Sequence, residues 1–396
     1  RRFAAAAEPT AGPSAAGPAA GSTAATFFVN RLPRDVTVDD VRAAFERVAR
    51  VVDVGLPVDR ETGVAKGYAF VSIEAPDAEA VRAAMDGYRL GDKYMAVRAA
   101  TPRVGPPLAP AAARRAALAP ARELNRLIVA ATSATEVLRL FEAHAENYTA
   151  VNVATSLHRA GALRGSFDAS QTPLLQGLLD RATTSVGQEA HLWGARELAN
   201  VAWGAARLAG DVRADSLLGA VAVEAELKID TFKSQELANL VWAFATAGVP
   251  APLLFEAAAT LAEARCGDYN PQETSNIVWA FATAGVSAPS LFRALDSEAA
   301  QQMRTFAPQN MAATVWAYAK VGVQAPQIFA AVAEEAPKKI AAFTPQALSM
   351  TAWAYATAGV PAPKLFNAIA FQSKWKMATF DAQGLSNLVW AFSTMQ

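Results

Sequence analysis

Two rhythms of apolar residues divide this chain. Between residues 26 and 103 short apolar runs alternate with amphipathic stretches. Thr26–Asn30, Val51–Val58, Lys66–Ile73 and Tyr94–Ala99 are predicted strands. Thr37 is positioned to cap a helix whose apolar face is Val41, Phe45 and Val48, and Asp77 one that carries Val81 and Met85. Asp59–Gly63 is a predicted turn. The order β-α-β-β-α-β predicts a four-stranded antiparallel sheet with two helices on one face, an α+β ferredoxin-like unit.

Strand alternation sorts the side chains of that sheet. Ala69, Val71 and Ile73 point to the helices, and so do Phe27 and Val29. Phe28, Tyr68 and Phe70 then fall on the face that no helix covers, with Lys66 beside them. An exposed aromatic cluster is costly unless a ligand uses it. Flat rings on an open sheet suit unstacked bases, each worth about 1–3 kcal/mol when stacked.

The octamer Lys66-Gly67-Tyr68-Ala69-Phe70-Val71-Ser72-Ile73 and the hexamer Phe27-Phe28-Val29-Asn30-Arg31-Leu32 closely resemble the paired signatures of the RNA recognition motif. Ile73 replaces the usual last aromatic, and Arg31 stands where Asn is usual. The resemblance covers residues 26–103 and implies single-stranded RNA or DNA stacked on Phe28, Tyr68 and Phe70. It implies a phosphate or base-edge contact for Lys66, a further charge from Arg98, and Arg31 at the margin of the same surface. The competing reading is a member of that fold which binds protein.

The second rhythm is a repeat. Trp242, Trp279, Trp316, Trp353 and Trp390 follow one another at steps of 37 residues, as do Gly248, Gly285, Gly322 and Gly359. Pro252, Phe255 and Gln235 open series in the same register. A period of this size predicts a stacked array, here an all-α superhelical solenoid of helical hairpins over residues 126–396. Pro271, Pro308 and Pro345 sit at first-turn positions, with Asn270 and Thr344 as caps, and each Gly is a left-handed stop for helix A. His158 and Gly161 mark a degenerate first unit of about seven. The last unit breaks off inside helix A at Gln396, which leads us to expect further chain beyond it. The Trp residues read as packing between units, with base stacking as the alternative. A second stripe varies between units: Glu236, Asn239, Ala243 and Thr246; Glu273 and Asn276; Asn310 and Lys320. It is either a solvent face or a one-unit-per-base RNA reader.

The unit Leu-x-Asn-Leu/Ile-Val-Trp-Ala-Phe-Ala-Thr-Ala-Gly resembles the heptatricopeptide and octotricopeptide repeats and the helical region of FAST-kinase-like proteins. Those families imply RNA processing, stability or translation control in mitochondria or chloroplasts. Many carry a RAP domain, which these residues do not contain.

Composition narrows the chemistry. The 396 residues carry 36 basic and 36 acidic side chains, so bulk charge does not drive binding. One acid-free window, residues 336–380, holds Lys338, Lys339, Lys364, Lys374 and Lys376. A single cysteine, Cys266, excludes an internal disulfide, and three histidines leave little for a metal or a triad. There is no phosphate loop and no nucleophile motif, so we expect no enzyme activity, cofactor or metal. No membrane span is convincing. Residues 1–25 read as a linker or a transit-peptide remnant, and residues 104–125 as a Pro/Ala spacer. The chain begins at Arg1, as a processed product, a fragment or an incomplete gene model would. The expected partners are single-stranded RNA and other ribonucleoprotein components, in an organelle or else in the nucleus or cytoplasm. Three arrangements remain: an RNA adaptor that grips at both units, a scaffold whose repeats hold protein, and the targeting half of an enzyme.

Overall fold

The computed structural model describes residues 23–33, 35–58, 64–65, 67–91, 93–99, 111–166, 169–210 and 212–395. Its contacts divide the chain into two units that meet between Pro107 and Leu108.

The first unit has strands β1 (Thr23–Asn30), β2 (Arg50–Gly55), β3 (Ala69–Ala75), β4 (Arg89–Leu90), β5 (Lys93–Tyr94) and β6 (Ala96–Ala99), with helices α1 (Val38–Glu46) and α2 (Ala78–Met85). Four strands pair antiparallel in the order β2-β3-β1-β6. Thr37 and Asp40 form a reciprocal capping box on α1, and Asp77 accepts from Glu79 N and Ala80 N to start α2. Phe27, Val29, Val71 and Ile73 are buried with Phe45, Val81 and Met85, as alternation requires. Two expectations change, and a third is not tested. Val48 lies past the end of α1 and is exposed. Tyr94 leaves the fourth strand for a small β4–β5 hairpin, turned by Gly91 at φ 62°. The Asp59–Gly63 turn and Lys66 lie outside the described residues.

The second unit is helical throughout. It opens with α3 (Ala111–Ala130) and α4 (Ala134–His144), so much of the expected spacer is helix instead. Ala-rich sequence favours that outcome, and Pro120 is accommodated within α3. Hairpins then follow: α5 (Ala150–Ala162) and α6 (Thr172–Gln188), α7 (Ala195–Leu208) and α8 (Asp215–Leu227), α9 (Ser234–Ala247) and α10 (Pro252–Ala264), α11 (Pro271–Ala284) and α12 (Pro289–Gln302), α13 (Pro308–Val321) and α14 (Pro326–Lys339), α15 (Pro345–Ala358) and α16 (Pro363–Lys376), and last α17 (Ala382–Thr394). Gly248, Gly285, Gly322 and Gly359 end their helices at φ between 63° and 72°, a conformation that costs other residues energy. The first helix of each hairpin packs on the first helix of the next, and the second helices form a parallel outer row.

Two devices hold the rows together. Ala243, Ala280, Ala317, Ala354 and Ala391 are fully buried. Gly204 lies in the corresponding stretch of α7, where a Cβ would collide with the backbone of Leu157. Small residues thus let the first-row helices approach closely. A basic residue then closes the ends of α8, α10, α14 and α16 on the unit before. Lys339 Nζ donates to Arg304 O and Phe306 O at 2.5 and 2.8 Å, and Lys376 Nζ to Ala341 O and Phe343 O at 2.9 and 2.5 Å. Lys228 and Arg265 do the same at the earlier steps.

Candidate nucleic-acid interface

The sheet of the small unit carries the sequence-expected aromatics. β1 runs between β3 and β6, so Phe28 stands directly opposite Phe70 on one side and Arg98 on the other. Leu32 N donates to Gly67 O at 2.8 Å, which ties the end of the first motif to the start of the second. Gly67 makes that turn at φ 84° and delivers Tyr68 to the same cluster. Ring centroids lie 5.4 Å apart for Phe28–Phe70, 5.6 Å for Phe28–Tyr68 and 6.1 Å for Tyr68–Phe70.

The three rings are not equally open, contrary to expectation. Phe70 is 37% exposed and Tyr68 is half-buried, but Phe28 is only 4% exposed. A ring on a central strand, closed in by Tyr68, Phe70 and Arg98, becomes the floor of the cluster. Arg98 and Arg31 are half-buried, Arg31 with a positive φ of 60° just after β1. The open aromatic surface is therefore two rings on an aromatic floor, edged by Arg98.

In the array the expected stripe dissolves. Glu236 and Glu273 fold back to accept from Lys233 N and Asn270 N, as parts of their own helix caps. Asn310 donates to Ser275 Oγ at 2.9 Å across two units. The Ala of the third position is buried in the contact between helices. Asn239 and Asn276 remain half-buried and Lys320 exposed.

The outward stripe of each first-row helix runs instead through steps of four, three and four: Gln235, Asn239, Trp242 and Thr246 in α9. Trp242, Trp279, Trp316 and Trp353 are half-buried, packed on the core at one edge and open at the other, and Trp390 in the last helix is exposed. The rings form a ladder in two runs on either side of Trp316: His158 to Trp203 at 4.6 Å, Trp203 to Trp242 and Trp242 to Trp279 at 6.3 Å, then Trp353 to Trp390 at 6.5 Å. Arg207 lies over Trp203 and Lys320 over Trp316. Burial, with Arg159 and Arg196 nearby, pushes the His158 imidazole below its ordinary value. The 37-residue Trp step carried this signal, but its reading as core packing concealed the open edge.

Among the described residues, no group of three His, Cys, Asp or Glu is placed to hold a metal ion, and no helix is long and apolar enough to cross a membrane.

Known proteins resemble the two units separately. Residues 27–96 match the RNA recognition motif family, and residues 171–396 match the family described as RNA-editing substrate-binding complex 6 protein. One subunit of eukaryotic translation initiation factor 3 from Mycosarcoma maydis is 42% identical over 79 residues, 20% of this chain and 26% of that protein. The chain thus spans about a quarter of that relative's length. RbpE of Nostoc sp., described as an RNA-binding protein, is 38% identical over 79 residues, 20% of this chain and 80% of that protein. Among solved structures, the first two RNA recognition motif domains of yeast poly(U)-binding protein align with 25% identity over 23% of this chain and 55% of that one, at a TM-score of 0.19. The small unit is an RNA recognition motif, and the chain, matched from residue 171 to residue 396, belongs to the family of RNA-editing substrate-binding complex 6 proteins.

Proposed function

We propose that this chain is a non-catalytic RNA-binding component of an organellar, mitochondrial RNA-editing assembly. Single-stranded RNA lies on the small unit's sheet, its bases against Tyr68 and Phe70, and Phe28 supports both rings from below. Arg98 supplies charge at the edge with Arg31 nearby, and Lys66, which lies outside the described residues, is expected to contact a phosphate or a base edge. The RNA is held for processing by other ribonucleoprotein components.

The observation that carries this reading is the aromatic cluster on the helix-free face, with Phe28 seated between Phe70 and Arg98. The family of the helical unit supports the editing context. The test is Tyr68→Ala with Phe70→Ala. Two lost stacking rings are worth about 1–3 kcal/mol each, so affinity for single-stranded RNA falls by at least about tenfold. Filter binding measures the affinity, and thermal unfolding checks that the fold is kept. Undiminished affinity refutes the stacking role. Phe28 is unsuitable for this test because its ring is buried.

A second reading has its own observation. Phe371 and Trp375 are 65% and 72% exposed on α16, where the preceding unit places Glu334 and Lys338. An apolar pair on an otherwise polar outer row supports a protein partner for that end of the array.

A further inference from the structure

The tryptophan ladder is open along one edge, and its surroundings are chemically uniform. In the seven first-row helices α5, α7, α9, α11, α13, α15 and α17, no outward stripe position carries Asp or Glu. Three carry cations: Arg196, Arg207 and Lys320. Of the acids beside the stripe, Glu236 and Glu273 are held in helix caps, and Glu197 adjoins Arg196 in α7. From α9 onward every helix places an exposed Gln at its N-terminal end of the stripe and a Trp further along it.

We propose that this stripe is a second RNA-binding track, which takes single-stranded RNA along the row of first helices. The indole edges offer sequence-tolerant stacking, and the Gln and Asn amides both donate to and accept from base edges. Repetition at one helix per unit is the arrangement by which helical arrays take one base per repeat. The lack of acids excludes a basic peptide as occupant and suits a polyanion. Arg207 and Lys320, seated on Trp203 and Trp316, place positive charge where a backbone would pass. The inference deepens the proposed function, because it assumes that the chain's ligand is RNA. It adds a surface separate from the sheet, so that one strand held at both places gains avidity from the tether.

The test uses the full chain with Tyr68→Ala and Phe70→Ala, so that the sheet no longer contributes. A thiouridine-containing single-stranded RNA is photocrosslinked, and the modified peptides are mapped. Crosslinks are expected on the first-row helices. Gln235→Glu, Gln272→Glu and Gln309→Glu are then combined in that background. Each position lies in the first helical turn, where an acid stabilises the helix, so the fold is not endangered. Remaining RNA affinity is expected to fall about tenfold, and to rise when the same three positions are changed to Lys. Crosslinks confined to residues 23–99, no residual binding once the sheet is disabled, or equal affinity in the Glu and Lys variants would overturn the track. Any of these results leaves the stripe to a protein or to solvent. Full affinity in the sheet variant with crosslinks on the array would instead sink the sheet's role and keep the track.

Discussion

At the scale of single residues, the repeat supplies its own controls. Phe232, Tyr269, Phe306, Phe343 and Phe380 occupy one position at steps of 37. Tyr269 alone brings a hydroxyl into that buried site, and the hydroxyl has no hydrogen-bond partner. Burial pushes its phenol up to about 12. Relieving an unpaired buried group gains about 1 kcal/mol. Tyr269→Phe is therefore expected to raise the denaturant midpoint of unfolding, and a lowered midpoint would reveal a partner for the hydroxyl. Tyr318 and Tyr355 set the contrast. Their hydroxyls donate to Phe292 O and Phe329 O at 2.7 and 2.6 Å, so the same change there removes a satisfied bond. The same distinction governs the sheet: alternation put Phe28 on the correct face, but only its neighbours show that it is floor.

At the scale of elements, helix ends decide how one unit meets the next. Lys339 at the end of α14 reaches back 33 and 35 residues to two carbonyls. In sequence the same side chain looks like part of a free basic cluster. Lys339→Ala strands those acceptors and removes a cation from a helix C-terminus, at a cost of about 1–3 kcal/mol. Gln302 holds this position one unit earlier, so Lys339→Gln is expected to cost less than the Ala variant. Equilibrium unfolding of both variants checks the order. An Ala variant as stable as the parent would mean that the clasp contributes nothing. RNA affinity at the sheet is expected to be unchanged by either substitution.

At the scale of the whole molecule, charge and tethering matter more than any one contact. The chain is formally neutral, and residues 26–103 hold equal numbers of acids and bases, 12 of each. Binding should therefore rest on stacking and amide contacts, with few phosphates neutralised. We expect the logarithm of RNA affinity to fall with the logarithm of salt at a slope corresponding to about two or three phosphates. Fluorescence anisotropy at several salt concentrations measures that slope. A slope several times steeper would show that local basic clusters, such as Lys364 and Lys374, dominate and that the neutral average misleads.

Much of the local chemistry was legible in the order of residues. Thr37, Asp77, Asn270 and Thr344 cap their helices, glycines at the 37-residue step stop them, and the strand alternation separates core from open face. These depend on near neighbours and a known period. The α3 helix within the expected spacer was missed because Pro120 reads as a helix breaker, whereas the Ala-rich stretch around it forms helix. Which of three aromatics a base can touch, and which stripe of a repeat faces outward, depend on residues far apart in the chain. Phe28 is closed in by Tyr68 and Phe70, and Trp242 is half-buried because one edge packs on the core of the array. Burial is a property of neighbours in space, and only the tertiary structure assigns them.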